Sequence, residues 1–80
     1  MKDWQEFISS DENILLGKPC IKGTRISVDL ILELFSNEWS IADILESYPS
    51  LNAAQIRAVF LYLRYCMQEE MYFPISKEVV

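Results

Sequence analysis

The stretch SIADILESYPSLNAAQIRAVFLYLRYCMQEE, residues 40–70, decides the fold. Ser40 with Asp43 three residues later is a weaker form of a capping box, and Ile41, Ile44, Leu45 and Tyr48 follow at i, i+3, i+4 and i+7. Pro49 ends that helix, because the residue before a proline is pushed out of helical geometry. Asn52 and Gln55 form a second capping box. Behind it Ile56, Val59, Phe60, Leu63 and Met67 are expected to share one buried face, on a helix running to about Glu70, roughly 25 Å at 1.5 Å per residue. The link from Tyr48 to Asn52 is short, so the two helices are close neighbours. A short helix, a tight turn and a longer helix make a helix-turn-helix outline.

Upstream, Ser27 is an N-cap and Asp29 complements the helix dipole in the first turn. Val28, Ile31, Leu32, Leu34 and Phe35 carry this helix to Asn37. The three helices therefore span about 27–37, 40–48 and 52–70. The N-terminal quarter reads differently, with short strands at about 7–9 and 20–22. Asp11-Glu12-Asn13 favours a turn, and Gly17, Pro19 and Gly23 mark a sharply folded segment. The expected fold is mainly α: a tri-helical helix-turn-helix bundle with a short N-terminal β element. Residues 1–70 form the domain. Residues 71–80 form an apolar, aromatic tail in which Pro74 forbids further helix.

Eighty residues permit one domain, and a chain this short buries only about 60% of its unfolded surface. Small domains of this size lean on disulfides, a metal or a partner chain. Cys20 and Cys66 are too few for a disulfide framework, and with no histidine a zinc site and the commonest acid–base group are both missing. No cofactor is expected, and association, with a homodimer as the first form, is the expected support. No stretch approaches the roughly 20 apolar residues of a membrane span, and the first residues do not read as a secretory signal, so the expected location is cytoplasmic.

The net charge of −5 argues against non-specific phosphate binding and suits a basic protein partner. The charge is unevenly spread, since residues 17–28 hold Lys18, Lys22 and Arg25 and no acid. The run from Gly17 to Arg25 is no phosphate loop, because its lysine follows the first glycine instead of the second. Lys22 and Arg25 are candidates for backbone phosphate. On the third helix Arg57 and Arg64, both candidates for contacting nucleic acid, share a face with Leu61 between them, and Tyr65 lies on the same side. A recognition helix presents its N-terminal residues to base edges, which here nominates Gln55, Arg57 and Ala58. Met71, Tyr72, Phe73 and Ile75 are candidates for holding a protein partner. Cys20, between two lysines, lacks a base and reads as a small buried strand residue. No catalytic constellation is present, and the chain is not expected to be an enzyme.

Gly17-Lys18-Pro19-Cys20-Ile21-Lys22-Gly23-Thr24-Arg25-Ile26-Ser27-Val28, then Trp39-Ser40-Ile41 and Tyr48-Pro49-Ser50-Leu51, closely resemble the DUF433 family of small prokaryotic proteins. The resemblance covers about residues 7–67. Members commonly carry a glycine two positions before the capping serine; Glu38 stands there in this chain, so a differently built turn is expected. The resemblance implies a homeodomain-like or winged-helix-like fold and a likeness to antitoxins of the VapB kind, which accompany a PIN-like ribonuclease toxin. By that analogy the core would bind operator DNA as a dimer and the tail would occupy the toxin. The alternative is a protein-interaction module that has the fold and never touches DNA.

Overall fold

Each helix begins at the cap that the sequence nominates. In the computed structural model, which describes residues 4–72, α1 spans Val28–Ser36, α2 Ile41–Ser47 and α3 Ala53–Gln68. The Ser27 hydroxyl accepts from the Leu30 N–H at 2.9 Å. Both capping boxes close reciprocally: Ser40 Oγ accepts from Asp43 N at 3.0 Å and Asp43 Oδ2 from Ser40 N at 2.8 Å. Asn52 Oδ1 accepts from Gln55 N at 2.9 Å and Gln55 Oε1 from Asn52 N at 2.8 Å. Each such pair satisfies two of the amide groups that a helix start leaves without partners.

The helix ends are built without glycine. After α1, Trp39 N–H donates to Leu34 O and Glu38 N–H to Phe35 O, while Glu38 adopts φ +69°. After α3, Met71 N–H donates to Cys66 O and Glu70 N–H to Met67 O, with Glu70 at φ +58°. This is the Schellman pattern twice over, with a glutamate in the left-handed position that usually favours glycine. The turn after α1 is therefore not rebuilt around Glu38. The side chain tolerates the left-handed backbone, at a cost of about 1–2 kcal/mol. The second such turn stops α3 at Gln68, two residues short of the expected Glu70.

Ahead of the helices, β1 (Ile8–Ser9) pairs antiparallel with β2 (Cys20–Ile21), Ile8 opposite Ile21 and Ser9 opposite Cys20. Both strands are shorter than expected, for local reasons. Phe7 closes a 3-10 turn over Trp4–Glu6 by donating to Trp4 O at 2.9 Å. Lys22 already stands at the second position of the next turn, in which Gly23 has φ +82° and Thr24 N–H donates to Ile21 O at 3.0 Å. That is a type II turn, and its third position requires positive φ. The Trp4 turn itself had no clear sequence signal. Its indole lies edge-on to Tyr62 at 4.9 Å and tilted against Tyr65 at 5.1 Å, which fastens the N-terminal segment to α3.

Between the strands, Asp11 Oδ1 accepts from Asn13 N–H at 2.8 Å, as the turn reading of this segment requires. Leu15, Leu16 and Gly17 then take positive φ in succession, 52°, 58° and 85°. Gly17 N–H donating to Ile14 O, Lys18 N–H to Leu15 O and Ser10 Oγ to Gly17 O hold this left-handed turn.

The core joins both parts. Ile8 and Ile21 of the strands, Val28 and Ile31 of α1, Ile44 of α2, Leu51 of the link, and Ile56, Ala58 and Val59 of α3 form one buried cluster. Two residues expected in it are outside. Phe60 is 44% exposed and Met67 63% exposed. The reason is the Trp4 turn, which draws the buried face of α3 toward Tyr62 and Tyr65. Phe60 and Met67, roughly 40° and 20° beyond Ile56 on the other side, are left at its edge. Phe60 retains one aromatic neighbour, Phe35, at 5.2 Å.

Candidate functional site

The segment from Gly17 to Val28 is first of all a clamp. Pro19 O accepts from Val28 N–H at 2.9 Å, and Ile26 O accepts from Ile21 N–H at 2.9 Å. A bridge pairs Cys20 with Ser27, so the segment folds back on itself and delivers the N-cap of α1. Thr24 secures the bend: its hydroxyl donates to Ile21 O at 2.7 Å and accepts from Ile26 N–H at 3.0 Å. Cys20 is buried and its thiol donates to Lys18 O at 3.3 Å, which agrees with a packed strand residue. The charged side chains of the clamp, Lys18, Lys22 and Arg25, all stay on the surface.

The five residues nominated for nucleic acid do not converge. Lys22 Nζ donates to Gln5 O at 3.2 Å, which holds it beside the Trp4 turn. That turn meets α3 through Tyr62 and Tyr65, roughly 80–160° around the helix from Arg57 and Arg64. Arg57 and Arg64 do share one exposed strip of α3, and Arg25 is exposed on the clamp. Gln55 is half-buried, with its Oε1 spent on the capping box. Ala58, read alongside it as a base-edge neighbour, is 1% exposed and belongs to the core. The exposed residues at the start of α3 are instead Asn52, Ala53, Ala54 and Arg57.

The apolar residues tell a different story. Phe60 and Met67 stand on the exposed side of α3 next to Arg57 and Arg64, and beyond the helix end Met71 and Tyr72 are 59% and 50% exposed. Phe73 and Ile75, nominated with them, lie outside the described residues. Tyr65, expected on an open face, is half-buried against Trp4. Burial, with a side-chain hydrogen bond to Cys66, pushes the Tyr62 phenol up from 10.0. Phe60 and Met67 were missed as surface residues because a helical period alone does not show which neighbours arrive on either side. The small residue Ala58, roughly 160° around the helix from Phe60, was the available hint that the packed face lay toward Val59 and Tyr62.

The charged groups are segregated. Between Arg25 and Arg57 the sequence holds Asp29, Glu33, Glu38, Asp43 and Glu46 and no base, whereas α3 carries two arginines and no acid. Among the described residues, no group of three or more Cys, Asp or Glu side chains is placed to hold a metal ion. Among them too, no helix is long and apolar enough to cross a membrane.

The sequence profile of the family described as "Protein of unknown function (DUF433)" matches residues 8–63. The chain belongs to this family. It is also 34% identical over 58 residues to "Uncharacterized protein y4eO" of Sinorhizobium fredii, an alignment that covers 72% of this chain and 26% of that protein. The chain thus spans about a quarter of the length of that relative. No solved structure matches it.

Proposed function

We propose that this DUF433 protein is an antitoxin-like regulator, acting as a dimer, whose principal ligand is a partner protein held along the end of α3 and the tail that follows it. The observation that carries this reading is the exposed pair Phe60 and Met67 on one side of α3, flanked by Arg57 and Arg64, with Met71 and Tyr72 exposed beyond the helix end. Apolar side chains grouped with arginine are the usual anchors of a protein interface. The net charge of −5 speeds the approach of a basic partner over the molecule as a whole, while Arg57 and Arg64 on the strip itself pair with acidic groups of that partner. By the family resemblance, a small PIN-like ribonuclease is the partner of choice.

A second reading, operator DNA at the start of α3, is favoured by the short link from α2 and by the exposed Ala53, Ala54 and Arg57. Small residues there permit close approach to a groove, and the arginines supply phosphate or guanine contacts. Gln55 and Lys22 drop out of that surface.

Co-expression with the product of the adjacent reading frame tests the first reading. A stable complex that is lost on deleting residues 71–80 is the expected result, and two separate proteins would refute it. A gel shift with the chain's own promoter tests the second. Binding that weakens with salt and with Arg57→Ala supports DNA recognition, and no shift at low salt, with or without the partner, removes it.

A further inference from the structure

Leu16 is an anomaly on both counts by which a leucine is usually judged. Its side chain is 93% exposed, and its backbone sits at φ +58° between two further residues of positive φ. L-residues avoid this region, and strain of this kind persists where the surroundings enforce it, often at recognition surfaces. The enforcing bonds are the ones from Gly17, Lys18 and Ser10 described above. Two residues on, from Lys18, a mainly apolar recess of about 410 Å³ opens, lined by Lys18, Pro19, Val28, Asp29 and Leu32. Lys18 also lines the hollow next to Leu15 and Leu16, so knob and recess belong to one continuous surface.

We propose that this surface is where two copies of the chain meet, the Leu16 of each filling the Pro19–Leu32 recess of the other. The occupant is a second copy because the surface complements itself. It offers one apolar projection, one apolar recess, and one charge of each sign at the recess rim. A two-fold axis through such a patch brings the Lys18 of each copy to the Asp29 of its mate, which is the requirement for an isologous interface. The position also suits the rest of the molecule, since it leaves the Arg57–Met67 strip of α3 free. The inference supplies the surface for the dimer assumed in the proposed function, and its readout needs neither the partner protein nor DNA. Failure here would leave partner binding untouched, and failure of partner binding would leave this intact.

The test is the molar mass of the full chain by light scattering over a wide concentration range, with circular dichroism confirming the fold. The unmodified chain should be a dimer, and Leu16→Asp should raise its dissociation constant roughly 30-fold, the weight of an anchor residue. Leu16→Gly is the second variant, because glycine accepts the left-handed backbone. It should give a folded monomer of equal or greater thermal stability at low concentration. Lys18→Glu and Asp29→Lys should each weaken the dimer several-fold, and together restore it. An unmodified chain that is monomeric throughout, a dimer indifferent to Leu16→Asp or Leu16→Gly, or a double charge swap no better than the single ones would each overturn the proposal.

Discussion

The clamp of residues 17–28 and the helical pair of residues 40–68 reach the same core by opposite means. The helical pair is regular: periodic apolar positions, reciprocal capping boxes and a short link. The clamp is irregular. Its bonds run from Thr24 to Ile21 and Ile26, from Val28 to Pro19 and across the Cys20–Ser27 bridge, and none belongs to a repeating ladder. Just before it lie Leu15 and Leu16 in left-handed geometry. The difference teaches that the most distinctive motif in the chain is chiefly architectural, while the plainer α3 carries the surface suited to recognition.

Substitution at the core sharpens this comparison most. Ile21 in the clamp and Ile56 in α3 are both fully buried. If the clamp is as structural as the helices, Ile21→Ala and Ile56→Ala should each cost about 2–5 kcal/mol in denaturant unfolding. For a domain whose whole stability is about 5–15 kcal/mol, either one brings it near unfolding. A cheap Ile21→Ala would break the comparison. Next come the polar fasteners. Asn52→Ala should cost about 0.5–2 kcal/mol by loss of the α3 cap, and Thr24→Ala a similar amount by leaving the Ile26 N–H without its acceptor and removing one of the two donors to Ile21 O.

The left-handed glutamate after α1 gives an effect of the opposite sign. Glu38→Gly removes a left-handed penalty of about 1–2 kcal/mol, offset in part by the greater freedom of glycine in the unfolded chain. A net gain of about 0.5–1 kcal/mol, or a melting temperature higher by roughly 2–8 °C, is expected. A loss would show that the Glu38 side chain has a task of its own.

The smallest effect is in acid. The Asp43 carboxylate accepts from the backbone and then the side chain of Ser40, which lowers its pKa from 3.8. A carboxyl held lower in the folded state than in the unfolded one stabilises fully above the unfolded value and loses that contribution as pH falls through the folded one. The melting-temperature gap between the unmodified chain and Asp43→Asn should therefore be constant near neutrality and shrink below about pH 4. A gap that widens in acid would contradict the capping assignment.

Much of the fold was legible from local chemistry. Ser27, Ser40 and Asn52 announce the helix starts, Pro49 the break, and Gly23 the turn, because each acts through its own backbone or the next few residues. What was not legible depends on distant contacts. No short-range pattern shows that Trp4 will reach Tyr62 and Tyr65, yet that contact turns α3 and leaves Phe60 and Met67 outside. The same limit governed the candidate site. Arg57, Arg64, Met71 and Tyr72 emerge exposed as read, whereas Gln55 is claimed by its cap, Ala58 by the core, and Lys22 by the carbonyl of Gln5. The α3 end-stop was hidden too, since Glu70 in a left-handed turn carries no glycine to mark it.

The central claim is that α3 recognises a partner while the clamp builds the domain. Co-purification with the adjacent gene product, comparing Met67→Glu on α3 with Lys22→Ala on the clamp, tests it most directly. Both positions are exposed, so both variants should keep the fold. Loss of the complex with Met67→Glu and its retention with Lys22→Ala is the expected result. Retention with Met67→Glu and loss with Lys22→Ala would contradict the account.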